Sequence, residues 1–298
     1  MTRLHRQDRQ ALLLGLIAVV LWSTAATAFK IALRHLDVLQ LLFGASVVSM
    51  TVLLIIVAYR GQAEQLRRCF VETPTYYLRA ALLNPCLYYL ILLSAYQRLP
   101  AQQAQAINYT WAITLGLMAV FMLGQRMRRI DWLTTVVGYC GVLIIATRGD
   151  ILSLQTDDGG GVALALLSTV VWAYYWIVNT RNLHDPVVSL CLNFLLAVPI
   201  TFAACLMFSE IPIWSWEAVG AVIYVGSFEM GITFAIWSIA LRRTTNISRV
   251  GNLIFISPLL SLLPIQFVLG EAIEPATLVG LALIIPAAML QQMRPASE

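Results

Sequence analysis

Glu229 lies in the middle of a run, 218–241, that holds no other charged residue. An ionised carboxylate in an apolar span costs several kcal/mol at least, so such a residue normally faces a cavity or a partner. Two chemical uses fit it: contact with an ammonium group, or carriage of a coupling proton. A third use is structural, a protonated glutamate hydrogen-bonded between helices. Aligning Ser94 with Ser238 puts Glu229 opposite Pro85 of the Asn84-Pro85 pair. A proline there should bend its helix and free backbone carbonyls at the same depth.

Aromatic and polar residues accompany the carboxylate. VLWSTAATAFK (Val20 to Lys30) and VVWAYYWIVNTR (Val170 to Arg181) place Trp22 in register with Trp172. Faces of Trp22, Trp172, Tyr175 and Trp176 suit an ammonium through cation–π contact or a ring through stacking. The alternative is an interfacial belt, which fits Trp214 and Trp216 but not Trp22, about eleven residues into its run. Ser23, Thr24 and Thr27 either line the same space or bond back to their own helix. Lys30 either snorkels at a span end or meets an anionic group. In AQQAQAINYTW, Gln102, Gln105, Asn108 and Tyr109 recur at three- and four-residue steps, one polar stripe that must face protein or water. Asn246, Arg249 and Asn252 hold the corresponding places later on. Asn108 and Asn252 are the preferred contacts on the two stripes.

These side chains need elements to hold them. The chain has 298 residues, 60% hydrophobic and 11% charged, well below the roughly 25% charge of a soluble domain. A bilayer crossing needs about 20 apolar residues. Charge-free windows of about that size span 11–29, 38–59, 80–97, 99–125, 132–147, 159–180, 186–209, 250–270 and 275–293, and 218–241 is broken only by Glu229. The expectation is an all-α integral membrane protein of ten transmembrane helices. The start of the chain mimics a signal peptide, but Lys30 and nine later spans favour a retained helix. Threading ten spans from an inner N-terminus puts 15 of the 19 basic residues on one side and only Lys30, Arg34, Arg98 and Arg148 on the other. That asymmetry places both termini in the cytoplasm, and it accounts for the net charge of +4 without a nucleic-acid partner.

Other chemistry is poorly supplied. Five scattered cysteines form no C-x-x-C pair, three histidines lie far apart, and the Gly run of QTDDGGG lacks the Lys-Ser/Thr of a phosphate loop. No metal, cofactor or catalytic residue is expected, and a membrane-embedded enzyme is the distant alternative.

The chain reads twice. RHLD (34–37) and NLHD (182–185) follow the two tryptophan spans, and FMLGQ (Phe121 to Gln125) matches FVLGE (Phe267 to Glu271). Five helices over 11–147 and five over 160–293, joined by a linker at 148–159, form the two repeats. An odd number of spans inverts the second copy, as in secondary transporters whose substrate site lies between repeats near mid-membrane. GYCGVLIIA and GLALIIPAA, with small residues and little polarity, should buttress the repeats or form an oligomer contact; the oligomeric state is open.

The WST turn with Lys30, the LGQ and LGE helix ends and Ser257-Pro258 make the two repeats resemble EamA domains of the drug/metabolite transporter superfamily. VLWST, INYTW, VVWAYYWIVNTR and AIWSIAL followed by NISRVGNLIFISP resemble its YddG-type aromatic amino acid exporters. The pattern departs at Ala112, where a proline is common, at Gln125 in place of Glu, and at Glu229. The resemblance implies a multi-pass protein of a bacterial-type inner membrane that exports amino acids, aromatic ones included, by alternating access. Other neutral metabolites or drugs are the alternative cargo. A phosphorylated substrate would need inward-facing basic residues, and the spans hold none but Lys30. The candidate cavity-lining residues are Trp22, Ser23, Asn84, Asn108, Tyr109, Trp172, Tyr175, Glu229 and Asn252, with Glu229 also the candidate proton carrier. The implied partners are the amino acid substrate, the lipid bilayer and protons.

Overall fold

The computed structural model describes residues 2–124, 127–151, 156, 158–179, 182–210, 212, 214–244 and 250–292. Gln125, Gln155, Asp157, Arg181, Asn246 and Arg249, all invoked above, lie outside the described residues, as do Arg126 and Arg294 of the 15 basic residues assigned to one side. Within them every regular element is helical, as lipid demands of a chain whose backbone groups must pair internally. Among the described residues, nine helices are long and apolar enough to cross a membrane: α1 (Gln7–Leu33), α2 (Val38–Tyr59), α3 (Pro74–Arg98), α4 (Ala101–Leu123), α5 (Arg129–Ala146), α6 (Gly159–Asn179), α7 (Pro186–Phe208), α8 (Trp216–Arg243) and α9 (Asn252–Leu269). A further apolar helix, α10 (Pro275–Gln291), is shorter.

The repeated motifs are helix punctuation. Asp37 closes RHLD and starts α2: its Oδ1 accepts the Gln40 N–H at 2.9 Å while Gln40 Oε1 accepts the Asp37 N–H at 3.0 Å. Asp185 closes NLHD and accepts from the N–H groups of Val187 and Val188 at the start of α7. Gly124 and Gly270, the shared glycines of LGQ and LGE, end α4 and α9 at φ 67° and 74°. That left-handed conformation is cheap only for glycine.

Packing pairs the helices across the two halves of the sequence. α1 packs on α8 and α9, and α6 packs on α3 and α4; α2 meets α7 and α8, and α7 also meets α3; α5 pairs with α10. Exchanging each helix for the one five later maps this set of pairs onto itself. The α5–α10 crossing is close because Gly141 and Gly280 face each other: a Cβ on either would come within 2.7 Å of the other's carbonyl oxygen.

Polar contacts gather at the two ends of the bundle. At one end, Lys30 Nζ donates to the carbonyls of Tyr96 and Leu99 at 2.9 and 3.0 Å, Arg98 pairs with Asp158 at 2.8 Å, and Arg148 pairs with Glu274 at 3.3 Å. Glu271 Oε1 accepts the Ala101 N–H at 3.0 Å, the first amide of α4, and Gln102 bonds Ala272 and Glu274. Three of the four basic residues assigned to the sparse side thus meet here. At the other end, Arg242 pairs with Asp185 at 2.9 Å, and Tyr77 bonds His184 at 2.7 Å.

Candidate functional site

Five helices are irregular where they approach one another. α1 is interrupted at Thr24, where Ser23 and Thr24 hydroxyls donate to the Val20 and Leu21 carbonyls, both at 2.6 Å. α3 widens to π geometry over Leu82–Leu87, with Asn84 non-helical at φ −140°, ψ 114°. α8 does the same over Val225–Ile232, the turn that carries Glu229. α4 breaks at Tyr109–Thr110, and α9 opens with a 3-10 segment, Asn252–Ile256. Such mid-membrane irregularities persist only where protein or a cavity receives the freed groups.

A cavity of about 240 Å³ lies among them. Its wall includes Trp22, Phe29, Tyr88, Tyr89, Tyr96, Trp111, Trp172, Trp176, Phe234 and Trp237, with Gln105, Asn108, Tyr109 and Glu229 as the principal polar members. The rings form a connected wall. Tyr88 stacks on Trp172 with centroids 4.4 Å apart, and Trp172 meets Phe234 edge-on at 5.9 Å. Trp22 meets Phe234 at 5.2 Å and Trp237 at 5.4 Å. Phe234 therefore bridges the two tryptophans that the repeat pairs in sequence.

Glu229 is anchored from two sides. Trp22 Nε1 donates to its backbone carbonyl at 3.3 Å, and Tyr89 Oη donates to its Oε1 at 3.3 Å. Its other carboxyl oxygen, Oε2, is buried without a hydrogen-bond partner. Asn108 is engaged: its amide donates to Ser168 Oγ at 2.9 Å, and its Oδ1 accepts from Tyr88 at 3.4 Å.

Of the nine candidate residues, Trp22, Asn108, Tyr109, Trp172 and Glu229 line the cavity. The other four stand outside its lining. Ser23 is spent on its own helix, and Tyr175 stacks behind Trp172 at 5.4 Å while receiving Asn193 Nδ2 at 3.3 Å. Asn84 is buried in the α3 bend, and Asn252 sits between the lining residues Gly251 and Ile254. Gln102 leaves the polar stripe to clasp the start of α10. Lys30 caps the carbonyl end of α3 with its ammonium, within the field of the Glu271 carboxylate. Tyr88, Tyr89, Phe29, Phe234 and Trp237 line the cavity as well, though none is among the nine candidates. Only Trp237 carries a spacing signal, standing two helical turns after Glu229 on the same face.

Comparison with known proteins fits this geometry. The EamA-like transporter family model matches residues 9–147 and again 159–291. A protein of Ancylobacter novellus named aromatic amino acid exporter YddG is 25% identical over 203 residues, 66% of this chain and 69% of its own. Bacillus subtilis YvbV, named an uncharacterized transporter, is 26% identical over 295 residues, 94% and 90% of the two chains. A solved crystal structure shares the fold with a TM-score of 0.66 at 22% identity, covering 93% of this chain and 94% of the other. With two family matches that together span nearly the whole length, and apolar helices to carry them, this chain belongs to the EamA-like transporter family and is a multi-pass membrane protein.

Proposed function

We propose that the protein is a secondary transporter that exports amino acids, aromatic ones included, across a bacterial-type inner membrane by alternating access. The observation that carries this reading is the cavity, enclosed by helices of both halves and walled by aromatic faces around one buried carboxylate. Its volume falls below the roughly 300–1,000 Å³ of drug-sized ligand sites, which suits a metabolite the size of an amino acid.

The architecture we infer is ten transmembrane helices, α10 included, in two inverted five-helix repeats over 11–147 and 160–293. The self-mapping set of helix pairs supports that division, as do the shared Asp and Gly caps. The basic-residue asymmetry supports cytoplasmic termini. In this frame the Lys30, Arg98, Arg148 and Glu271 contacts close the outer end, and substrate enters from the cytoplasm. Trp22 and Trp172 cradle it, and Glu229 faces its ammonium or carries the coupling proton. The similarity to a protein named as an aromatic amino acid exporter supports the substrate class.

Flux of labelled amino acids into proteoliposomes, with and without an imposed pH gradient, tests the reading. Saturable flux of an aromatic amino acid is expected. Folded protein that moves no amino acid would overturn the substrate class and leave other neutral metabolites or drugs as cargo.

A further inference from the structure

A crevice separates α6 from the first half of α3, away from the central cavity. Its cause lies in α3, which the non-helical Asn84 breaks. Beyond the break the second half of α3 packs along α6, while the first half, Pro74–Ala81, leans on α7. Two adjoining hollows of about 470 and 410 Å³ fill the gap and share Tyr76, Tyr174 and Val178. Leu82 and Leu83 line one of them, and Thr73 and His184 the other, nearer the start of α3. Leu82 and Tyr174 are exposed on the bundle surface, so the crevice faces lipid.

Arg79 lines this crevice. It is exposed and, among the described residues, has no ionic or hydrogen-bonding partner. It lies five residues into α3, about 7.5 Å along the helix from Pro74. A basic residue at that depth needs an anion or must snorkel. Its neighbours at this end of the bundle are already matched: Arg67 with Glu64 at 2.8 Å, Arg68 with Glu72 at 2.6 Å, and Arg242 with Asp185 at 2.9 Å. The same pairs commit the acids that precede α3 and α7. Gln125, Arg126, Thr180 and Arg181, which follow α4 and α6 outside the described residues, include no acid. The Tyr174 hydroxyl also lacks a partner among the described residues. The crevice therefore offers a guanidinium and a phenol beside an apolar slot.

We propose that this crevice seats one anionic phospholipid, with its phosphate on Arg79 and Tyr174 and an acyl chain along Leu82, Leu83 and Val178. A guanidinium forks onto phosphate oxygens, and basic pockets between transmembrane helices take anionic headgroups in this way. A zwitterionic lipid carries the same phosphate with an added cation, which Arg79 repels. α6 divides this site from the central cavity, with Trp172 and Trp176 on the cavity side and Tyr174 and Val178 on the crevice side.

The test uses the full chain purified in detergent, with bound lipid counted by native mass spectrometry. Dioleoylphosphatidylglycerol and dioleoylphosphatidylcholine are the probes, and glycerol phosphate is the soluble headgroup control. The wild type should hold phosphatidylglycerol about fivefold or more tightly than phosphatidylcholine, the effect of one basic residue at an anionic headgroup. Arg79→Gln should bind the two lipids alike, and Arg79→Lys should keep part of the preference. Val178→Trp keeps the charge and fills the slot, so it should shed the lipid. Arg67→Gln, at an arginine already paired, should match the wild type. Thermal unfolding of each variant in lipid-free detergent checks that the fold survives.

Equal retention of the two lipids by the wild type would overturn the proposal. So would an undiminished preference in Arg79→Gln, or in folded Val178→Trp, which would leave Arg79 a snorkelling residue with no seat beside it. Displacement of the lipid by glycerol phosphate at matched concentration would make this a site for a soluble phosphate and overturn the lipid assignment.

Discussion

Tyr89 and Glu229, 140 residues apart in the chain, share a hydrogen bond at the cavity wall. It joins a helix of the first half to the widened turn of α8, in the second. Each partner has a different dependence on it. Tyr89 is fully buried and has this acceptor, whereas the second carboxyl oxygen of Glu229 is buried without a hydrogen-bond partner.

The pair therefore separates structural from functional use of Glu229. Tyr89→Phe removes the donor and should lower stability by about 0.6 kcal/mol, and by no more than about 1.7 kcal/mol, as membrane hydrogen bonds do. Glu229→Gln keeps an acceptor for Tyr89, so melting in detergent should change little while saturable flux falls at least tenfold. Thermal unfolding and proteoliposome flux of the two variants check this. Strong unfolding of Glu229→Gln with normal flux from the folded fraction would make Glu229 inter-helix glue.

Gly280→Ala addresses the α5–α10 crossing. The added methyl would lie 2.4 Å from Ile145 Cγ1 and 2.7 Å from the Gly141 carbonyl oxygen. Overpacking of this kind costs ~1–3 kcal/mol. Neither helix lines the cavity, so flux per folded molecule should stay near wild type. Thermal unfolding with flux normalised to folded protein reads both halves of the expectation.

Glu271 puts a carboxylate on the first amide of α4, where the helix dipole favours negative charge. Glu271→Gln keeps an oxygen and loses the charge, at about 0.3–1 kcal/mol, which is roughly two- to fivefold in the balance of open and closed outer ends. Maleimide labelling from outside, at a cysteine introduced at Ala26 in a chain cleared of its five native cysteines, should rise by that factor. Unchanged labelling would show that this cap does not hold the end shut.

Asp158 gives a pH dependence at the same end. The hydrogen bond from the Arg98 guanidinium, with the Gly161 N–H, holds its carboxyl below the usual aspartate range. A carboxylate whose folded value is depressed stabilises the folded state above its unfolded value, and loses that effect as pH falls through the folded value. Asp158→Asn should therefore melt below wild type at neutral pH, with the gap closing on acidification beneath the ordinary aspartate range. A gap constant with pH would remove the ion pair as its cause.

Much of the architecture could be read from where charge is missing. Every described span overlaps a charge-free window or, for α8, a window broken by Glu229 alone, with the extra charges confined to the helix ends. Trp22 and Trp172 stood out because each interrupts a depth at which belt residues are not expected. Tyr88, Phe29 and Phe234 did not stand out. In a helix apolar all round, nothing in the pattern distinguishes a ring facing a cavity from one facing lipid. Ser23 shows the opposite limit, since its hydroxyl is satisfied by the Val20 carbonyl three residues earlier on its own helix and Ser23 is not among the lining residues. Asn108 lines the cavity, yet its amide is committed to Ser168, a partner that only the packing of α6 on α4 supplies.

The exchange of helices between halves has a consequence for biogenesis. When α1 to α5 leave the ribosome, the surfaces that α1, α2 and α5 will bury still lack α8, α7 and α10. Those surfaces are first solvated by lipid, not by protein, and the early half lives as a loosely associated insertion intermediate. Association in lipid depends on close packing, so the α5–α10 glycine crossing forms last, with the final helix. Synthesis of nearly the whole chain therefore precedes assembly of the cavity, and a chain truncated before α8 would leave Trp22 without Phe234 and Trp237 against which to dock.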